Sequence, residues 1–248
     1  MTMYHARHVQ KTLLWHQRWF LLIVSALLIS VFIGFGLLRH WQNSGRPDKN
    51  TYPVLGISLS QEDGYQDFHL LKNHGVDFVY LKATQGADYF DDKFLDNYWR
   101  IQGAQLPVGV YHYFSFTSSP QEQMQNFRDS VGAQIGNLPI VIQVNDYQKP
   151  RPARSKIKKS VLELQTLLIT TYQRKVIIQT APVFADLFPN AAIWIQSARQ
   201  PRQKSRLVFW EYDNQGKIPS LASTNLFHMS VFVGDQNHWQ HFLQTGGY

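Results

Sequence analysis

The chain of 248 residues is 44% hydrophobic, 14% aromatic and 17% charged, which excludes intrinsic disorder and collagen-like repeats. With no Cys it has no disulfide framework, thiolate nucleophile or Cys-ligated zinc. Of the formal net charge of +7, residues 1–50 hold six Lys/Arg against one acid, leaving 18 Lys/Arg against 16 Asp/Glu beyond them, a balance that argues against nucleic acid as partner.

Nineteen uncharged residues run from Phe20 to Leu38, FLLIVSALLISVFIGFGLL. As a helix they reach roughly 28 Å, the thickness of a hydrocarbon core. This predicts a transmembrane helix over 20–38 after a short basic segment, 1–19. Trp15, Trp19 and Trp41, with Arg18 and Arg39, flank it as interfacial anchors. The run is longer than a signal peptide's apolar region and no A-x-A-like site follows it, so a retained anchor is expected. Basic residues divide evenly between the two flanks, and charge leaves the topology open. Residues 39–53 read as a polar linker and 54–248 as one domain.

In that domain β-rich runs alternate with helical stretches: LGISL (55–59), FVYLKAT (78–84), PVGVYHYFSF (107–116), PIVIQV (139–144) and KVIIQT (175–180). Five strands alternating with helices imply a parallel sheet. Ser119-Pro120-Gln121-Glu122 spells a capping box, with Met124, Phe127 and Val131 as the buried stripe behind it. Asp91 and Ser155 are expected to cap two further helices, striped by Phe94, Tyr98 and Ile101, and by Ile157, Val161, Leu164 and Leu168. Beyond residue 190 come AIWIQS (192–197), RLVFWEY (206–212) and HMSVFV (228–233), joined by loops too short for crossover helices. A final amphipathic helix, Gln236 to Leu243, sets Trp239, Phe242 and Leu243 on one side.

The strand-end motifs resemble glycoside hydrolase family 25, the Chalaropsis-type lysozymes that cut peptidoglycan glycan strands, over about residues 55–243. GISLSQEDG is similar to the family's G-I-D-V-S strand, FVYLKATQG to F-V-I-x-K-A-T-E-G, and VGVYHYFSF to V-G-A-Y-H-Y-F. LPIVIQVND resembles L-P-P-V-L-D-V-E-D, KVIIQTAPVF the K-P-I-I-Y-T strand, and FWEYDNQGKIPSL W-Q-Y-S-x-x-G-x-V-P-G-I. The resemblance implies an α/β fold, an irregular TIM-like barrel of five β/α units and three closing strands. It also implies a site at the C-terminal mouth of the strands, no cofactor and no metal.

The acidic positions that by the resemblance carry the chemistry are substituted. The first-strand Asp falls on Ser58, the D-x-E pair on Gln143 and Asn145, the late-strand Asp on His228, the A-T-E-G Glu on Gln85 and the strand-five Tyr on Gln179. An amide keeps the shape and hydrogen bonding of a carboxylate but has no proton to give near neutral pH. The expectation is therefore a sugar-shaped groove without confident catalytic residues. Its substrate-binding candidates are Ser58, Lys82, Gln85, Tyr111, Tyr113, Gln143, Asn145, Gln179, Trp210, Glu211 and His228, and Tyr212 joins the aromatics as a stacking-wall candidate. Asp146 is the best substitute acid, with Glu62, Asp63, Glu211 and Asp213 as other carboxylates near strand ends. His112 reads as a hydrogen-bonded strand histidine rather than a base or ligand.

Two basic runs, KPRPARSKIKK (149–159) and RQPRQKSR (199–206), read as solvated faces, with attraction to anionic polymers or headgroups as the functional alternative. No phosphate loop or G-x-S-x-G elbow is present. The leading expectation is a membrane-anchored, catalytically degenerate domain that binds peptidoglycan glycan strands or envelope proteins. By the resemblance it lies on the periplasmic or extracytoplasmic side of a bacterial inner membrane. The alternatives are an active muramidase with relocated carboxylates and a protein-docking module.

Overall fold

A computed structural model of the chain describes residues 19–34, 45–146, 152–202, 205–218, 221 and 225–247. It divides into two compact units, Met1–Gly45 and Arg46–Tyr248. In the first, residues 19–34 form helix α1, with Leu21, Leu28 and Phe32 among its exposed apolar side chains. The expected span over 20–38 is described only that far. Residues 35–38 and the flanks Trp15, Arg18, Arg39 and Trp41 lie outside the described residues, and among the described residues no helix is long and apolar enough to cross a membrane.

The second unit is a closed barrel. Its strands are β1 (Leu55–Leu59), β2 (Phe78–Gln85), β4 (Val108–Tyr113), β5 (Ile140–Val144), β6 (Val176–Thr180), β7 (Ala192–Gln196), β8 (Leu207–Gly216) and β9 (Phe227–Phe232), with a short β3 (Tyr89–Phe90) appended to β2. The sheet closes because β1 pairs in parallel with β2 and antiparallel with β9. Neighbours from β1 round to β8 are parallel, and β9 alone runs against both of its partners.

Helices α2 (Phe68–Asn73), α3 (Phe94–Ala104), α4 (Pro120–Val131), α5 (Arg154–Tyr172) and α6 (Pro182–Ala185) follow the first five barrel strands, and α7 (Gln236–Gln244) ends the chain. Five β/α units and three closing strands are thus present as the motifs implied. β8 nevertheless runs parallel to β7, reached by a loop without a helix.

Local chemistry explains the helix starts. Ser119 and Glu122 form the expected reciprocal capping box of α4, and Asp67 caps α2 by accepting from the Leu70 N–H. Two cap assignments need correcting. The N-cap of α3 is Lys93, because Asp91 turns its carboxylate to the N–H groups of Gln61 and Lys93 and so ties the first loop to the second. The N-cap of α5 is Ala153, which leaves Ser155 inside the first turn.

Period-two alternation along the strands creates two cores. Outward residues such as Ile57, Leu81 and Ile142 meet the helices through Phe94, Phe127 and Leu164. Inward residues Phe78, Tyr80, Trp194, Phe209 and Phe232 fill the barrel, and Trp239 and Phe242 of α7 join that inner cluster. Each fully buried large apolar side chain stabilises the fold by about 1.5–3 kcal/mol over exposure. This aromatic floor confines polar inward residues to the opposite, C-terminal end.

Glycine makes room for the floor. A Cβ at Gly109 would stand 2.3 Å from the Tyr80 ring, and one at Gly56 2.2 Å from that of Phe78. Gly109→Ala is therefore expected to destabilise the chain by about 1–3 kcal/mol through overpacking, measured by chemical denaturation. An unchanged midpoint would show that the Tyr80 ring does not occupy this space.

Candidate functional site

Above the aromatic floor, the C-terminal ends of the strands enclose a cavity of about 660 Å³. Its walls carry the positions to which the acidic motifs point. Ser58, Gln143, Asn145 and His228 all line it. Register explains the grouping: Ser58 pairs with His228 across β1 and β9, while Gln143 pairs with Tyr113 on one side and Gln179 on the other. Tyr111, nearly fully buried, Tyr113 and Lys82 complete the wall formed by β2 and β4.

The deepest charge is Glu211 on β8, 5% exposed. Its Oε2 accepts from Gln179 Nε2 at 2.8 Å and Gln196 Nε2 at 3.2 Å, while Oε1 meets His228 Nδ1 at 2.9 Å. One carboxylate thus joins side chains of β6, β7 and β9. The hydrogen bond to the Glu211 carboxylate raises the His228 pKa, helped by the fields of Glu211, Asp63 and Asp213 and opposed by burial. On the other wall Lys82 Nζ donates to Gln85 Oε1 at 2.8 Å, and burial holds its pKa below the ordinary lysine value.

Other expected site residues lie elsewhere. Trp210 does not line the cavity. Next to inward Phe209 and Glu211, it points outward by the strand's alternation, donates its indole N–H to Ser197 O at 2.6 Å and meets Tyr52 edge-on in the outer core. Tyr212 belongs to the same outer core and also contributes to the cavity lining. Gln85 stands behind Lys82 and is not part of the lining.

Among the substitute acids, Glu62, Asp146 and Asp213 reach the cavity from exposed or half-buried positions, whereas Asp63 serves the capping box of a 3₁₀ turn over Gln61–Asp63. His112 is fully buried between Thr84 Oγ1 at 2.8 Å and Gln123 Oε1 at 2.9 Å, and burial lowers its pKa to about 4, leaving a neutral core imidazole. Sequence reasoning missed Gln196 and the keystone role of Glu211. Inward alternation beside Phe209 was the available signal for the latter. Among the described residues, no cluster of three or more His, Asp or Glu is placed to hold a metal ion.

Chemically, the cavity offers amides, hydroxyls, the buried Glu211 carboxylate engaged by three side chains, three exposed or half-buried carboxylates (Glu62, Asp146 and Asp213), the Lys82 ammonium and the His228 imidazole. It can hold a polar, hydroxyl-rich ligand. Its raised histidine gives a pH signature: the ion pair's stabilisation is complete below the unfolded histidine value of about 6.5 and is lost as pH rises through the higher folded value. By NMR, His228 is expected to titrate above 6.5 in the parent chain and closer to it in Glu211→Gln. Titration at or below 6.5 in the parent would contradict the pairing.

Comparison with known proteins gives concordant matches. The sequence pattern described as "Glycosyl hydrolases family 25" matches residues 57–221. A solved family 25 glycosyl hydrolase from Bacillus anthracis superposes with a TM-score of 0.72 at 27% identity, covering 80% of this chain and 96% of that one. An uncharacterized protein, YegX, of Escherichia coli K12 is 24% identical over 206 residues, 78% of this chain and 74% of that protein. The autolytic lysozyme of Clostridium acetobutylicum is 34% identical over 78 residues, 32% of this chain and 24% of that enzyme.

Proposed function

The chain belongs to the glycosyl hydrolases of family 25, and from that premise we propose that its barrel binds peptidoglycan glycan strands without hydrolysing them by the family's route. The observation that carries this reading is the pair of amides, Gln143 and Asn145, facing the cavity where the family's motif has Asp and Glu.

Glycoside hydrolysis requires a group that protonates the leaving oxygen and a second negative group about 5–9.5 Å away across the same bond. Among the described residues, four carboxylates line the cavity, Glu62, Asp146, Asp213 and Glu211, and none stands at the family's acidic positions; Glu211 is moreover occupied. Three donors already engage it, and its close ionisable partner is an imidazole at 2.9 Å. Loss of general acid catalysis alone costs about 10²- to 10⁴-fold in rate. The amides still accept and donate hydrogen bonds to sugar hydroxyl and acetamido groups, so binding survives what catalysis does not. An open cavity also favours a ligand over a purely protein-docking block, whose mouth would be filled by side chains.

The same proposal places the barrel outside the cytoplasm, tethered by the apolar run 20–38 through the linker 39–53. The substrate's location and the length of the run support this. Retention of the full chain in the membrane pellet after carbonate extraction is the expected result, and release into the supernatant would overturn the anchor.

For the ligand, purified peptidoglycan is mixed with the full chain and with a variant carrying Ser58→Asp, Gln143→Asp and Asn145→Glu. Co-sedimentation and release of reducing ends are recorded together. The parent is expected to sediment with the polymer while releasing reducing ends at least about 10²-fold more slowly than the restored variant. Cleavage by the parent at the restored variant's rate, or absence of sedimentation, would contradict the reading.

A further inference from the structure

We propose that Lys82 anchors a free carboxylate on the glycan, so that the cavity selects strands whose muramic acid has lost its stem peptide. The inference rests on the reading that the cavity takes peptidoglycan glycan. It concerns which form of that glycan fits.

Lys82 extends from β2 into the cavity wall. Its ammonium hydrogen bonds to the neutral Gln85 Oε1 at 2.8 Å and lies 4.6 Å and 5.4 Å from the ring centroids of Tyr89 and Tyr113. Among the described residues, no carboxylate stands within ion-pairing distance of it. The two acids whose fields reach it, Asp91 and Glu62, form no ion pair with it: Asp91 accepts the N–H groups of Gln61 and Lys93, and Glu62 is exposed. A half-buried cation with a neutral partner and two ring faces is under-compensated.

The motif comparison explains how this arose, because the resembling strand has Glu where this chain has Gln85. A carboxylate in the place of that amide would sit on the lysine as an internal counter-ion. The neutral substitutions at Ser58, Gln143 and Asn145 also remove charges that would repel an incoming anion. The motif's acidic positions have thus become neutral or basic while Lys82 remains; of the carboxylates that still line the cavity, Glu211 is engaged by three side chains, and Glu62, Asp146 and Asp213 hold exposed or half-buried positions.

The chemistry of the ligand follows. In a muramic acid residue that carries its peptide, the lactyl carboxyl is tied up as an amide and is neutral. Hydrolysis of that amide adds water across the C–N bond, freeing the peptide amine and leaving a carboxylate on the sugar. The class of reaction that supplies this ligand is thus an amidase acting on the lactyl–peptide bond. The carboxylates of the stem peptide itself are the other source of the same chemistry, and the test separates them.

Dissociation constants of the full chain are measured by calorimetry for three probes. These are the N-acetylglucosaminyl-N-acetylmuramic acid disaccharide, its lactyl methyl ester, and the same disaccharide carrying a stem peptide. The free acid is expected to bind about tenfold or more tightly than either other probe, the order that a charge-assisted hydrogen bond supplies, with a preference that weakens as salt rises. Gln85→Glu, a near-isosteric change that supplies an internal counter-ion, is expected to abolish the preference, as is Lys82→Met.

Equal affinity for acid and ester overturns the inference while leaving glycan binding intact. So does tighter binding of the peptide-bearing probe, which would assign the stem carboxylate. A preference undiminished in Gln85→Glu removes Lys82 from the account. Failure to bind any of the three overturns the underlying reading together with the inference.

Discussion

Closure of the sheet through β1, bonded to β2 on one side and β9 on the other, is the constraint from which the rest of the barrel domain follows. Once eight strands form a ring, each side chain is committed by parity to the helices or to the interior. The interior is too narrow for all of its aromatic residues to share one level with polar ones. Aromatic rings occupy the end covered by α7, and the amides, hydroxyls and charges share the other end. Site and core are therefore two ends of one alternation, and Gly56 and Gly109 leave the space that the Phe78 and Tyr80 rings occupy.

Within the mouth, Glu211 does for the polar layer what the aromatic floor does for the apolar one. Buried carboxylates are costly unless hydrogen-bonded, and this one draws donors from three other strands. The result is a hydrogen-bonded cluster of Glu211, Gln179, Gln196 and His228 that spans four neighbouring strands at the C-terminal end of the barrel. Lys82 stands apart from that network, its charge answered by a neutral amide and two rings.

Much of this was legible in the sequence because its signals were local. The capping box at Ser119, the inner stripe of α4 and all eight barrel strands follow from short-range pattern. The motifs also brought Ser58, Gln143, Asn145 and His228 to one cavity, since strand-end residues in register must converge when the sheet closes. What failed depended on parity or on distant partners. An aromatic residue such as Trp210 suits a sugar wall by type, but its neighbours Phe209 and Glu211 claim the inward face. Asp91 looked like a helix cap, but a backbone N–H thirty residues earlier in the chain, at Gln61, competes for its carboxylate. The convergence of Gln179, Gln196 and His228 on Glu211 is tertiary, and no spacing rule announces it. β3, only two residues long, carries no periodicity to detect.

A preserved barrel mouth with Ser58, Gln143, Asn145 and His228 at the motif's acidic positions is proposed to hold glycan without cutting it. The most direct measurement is an NMR titration of an isotopically labelled chain with a peptidoglycan tetrasaccharide, following protein and sugar together. The account predicts shifts in the side-chain amide signals of Gln143, Asn145 and Gln179, with the oligosaccharide's anomeric signals unchanged over days. New reducing-end signals, or perturbations confined to residues outside the cavity, would contradict it.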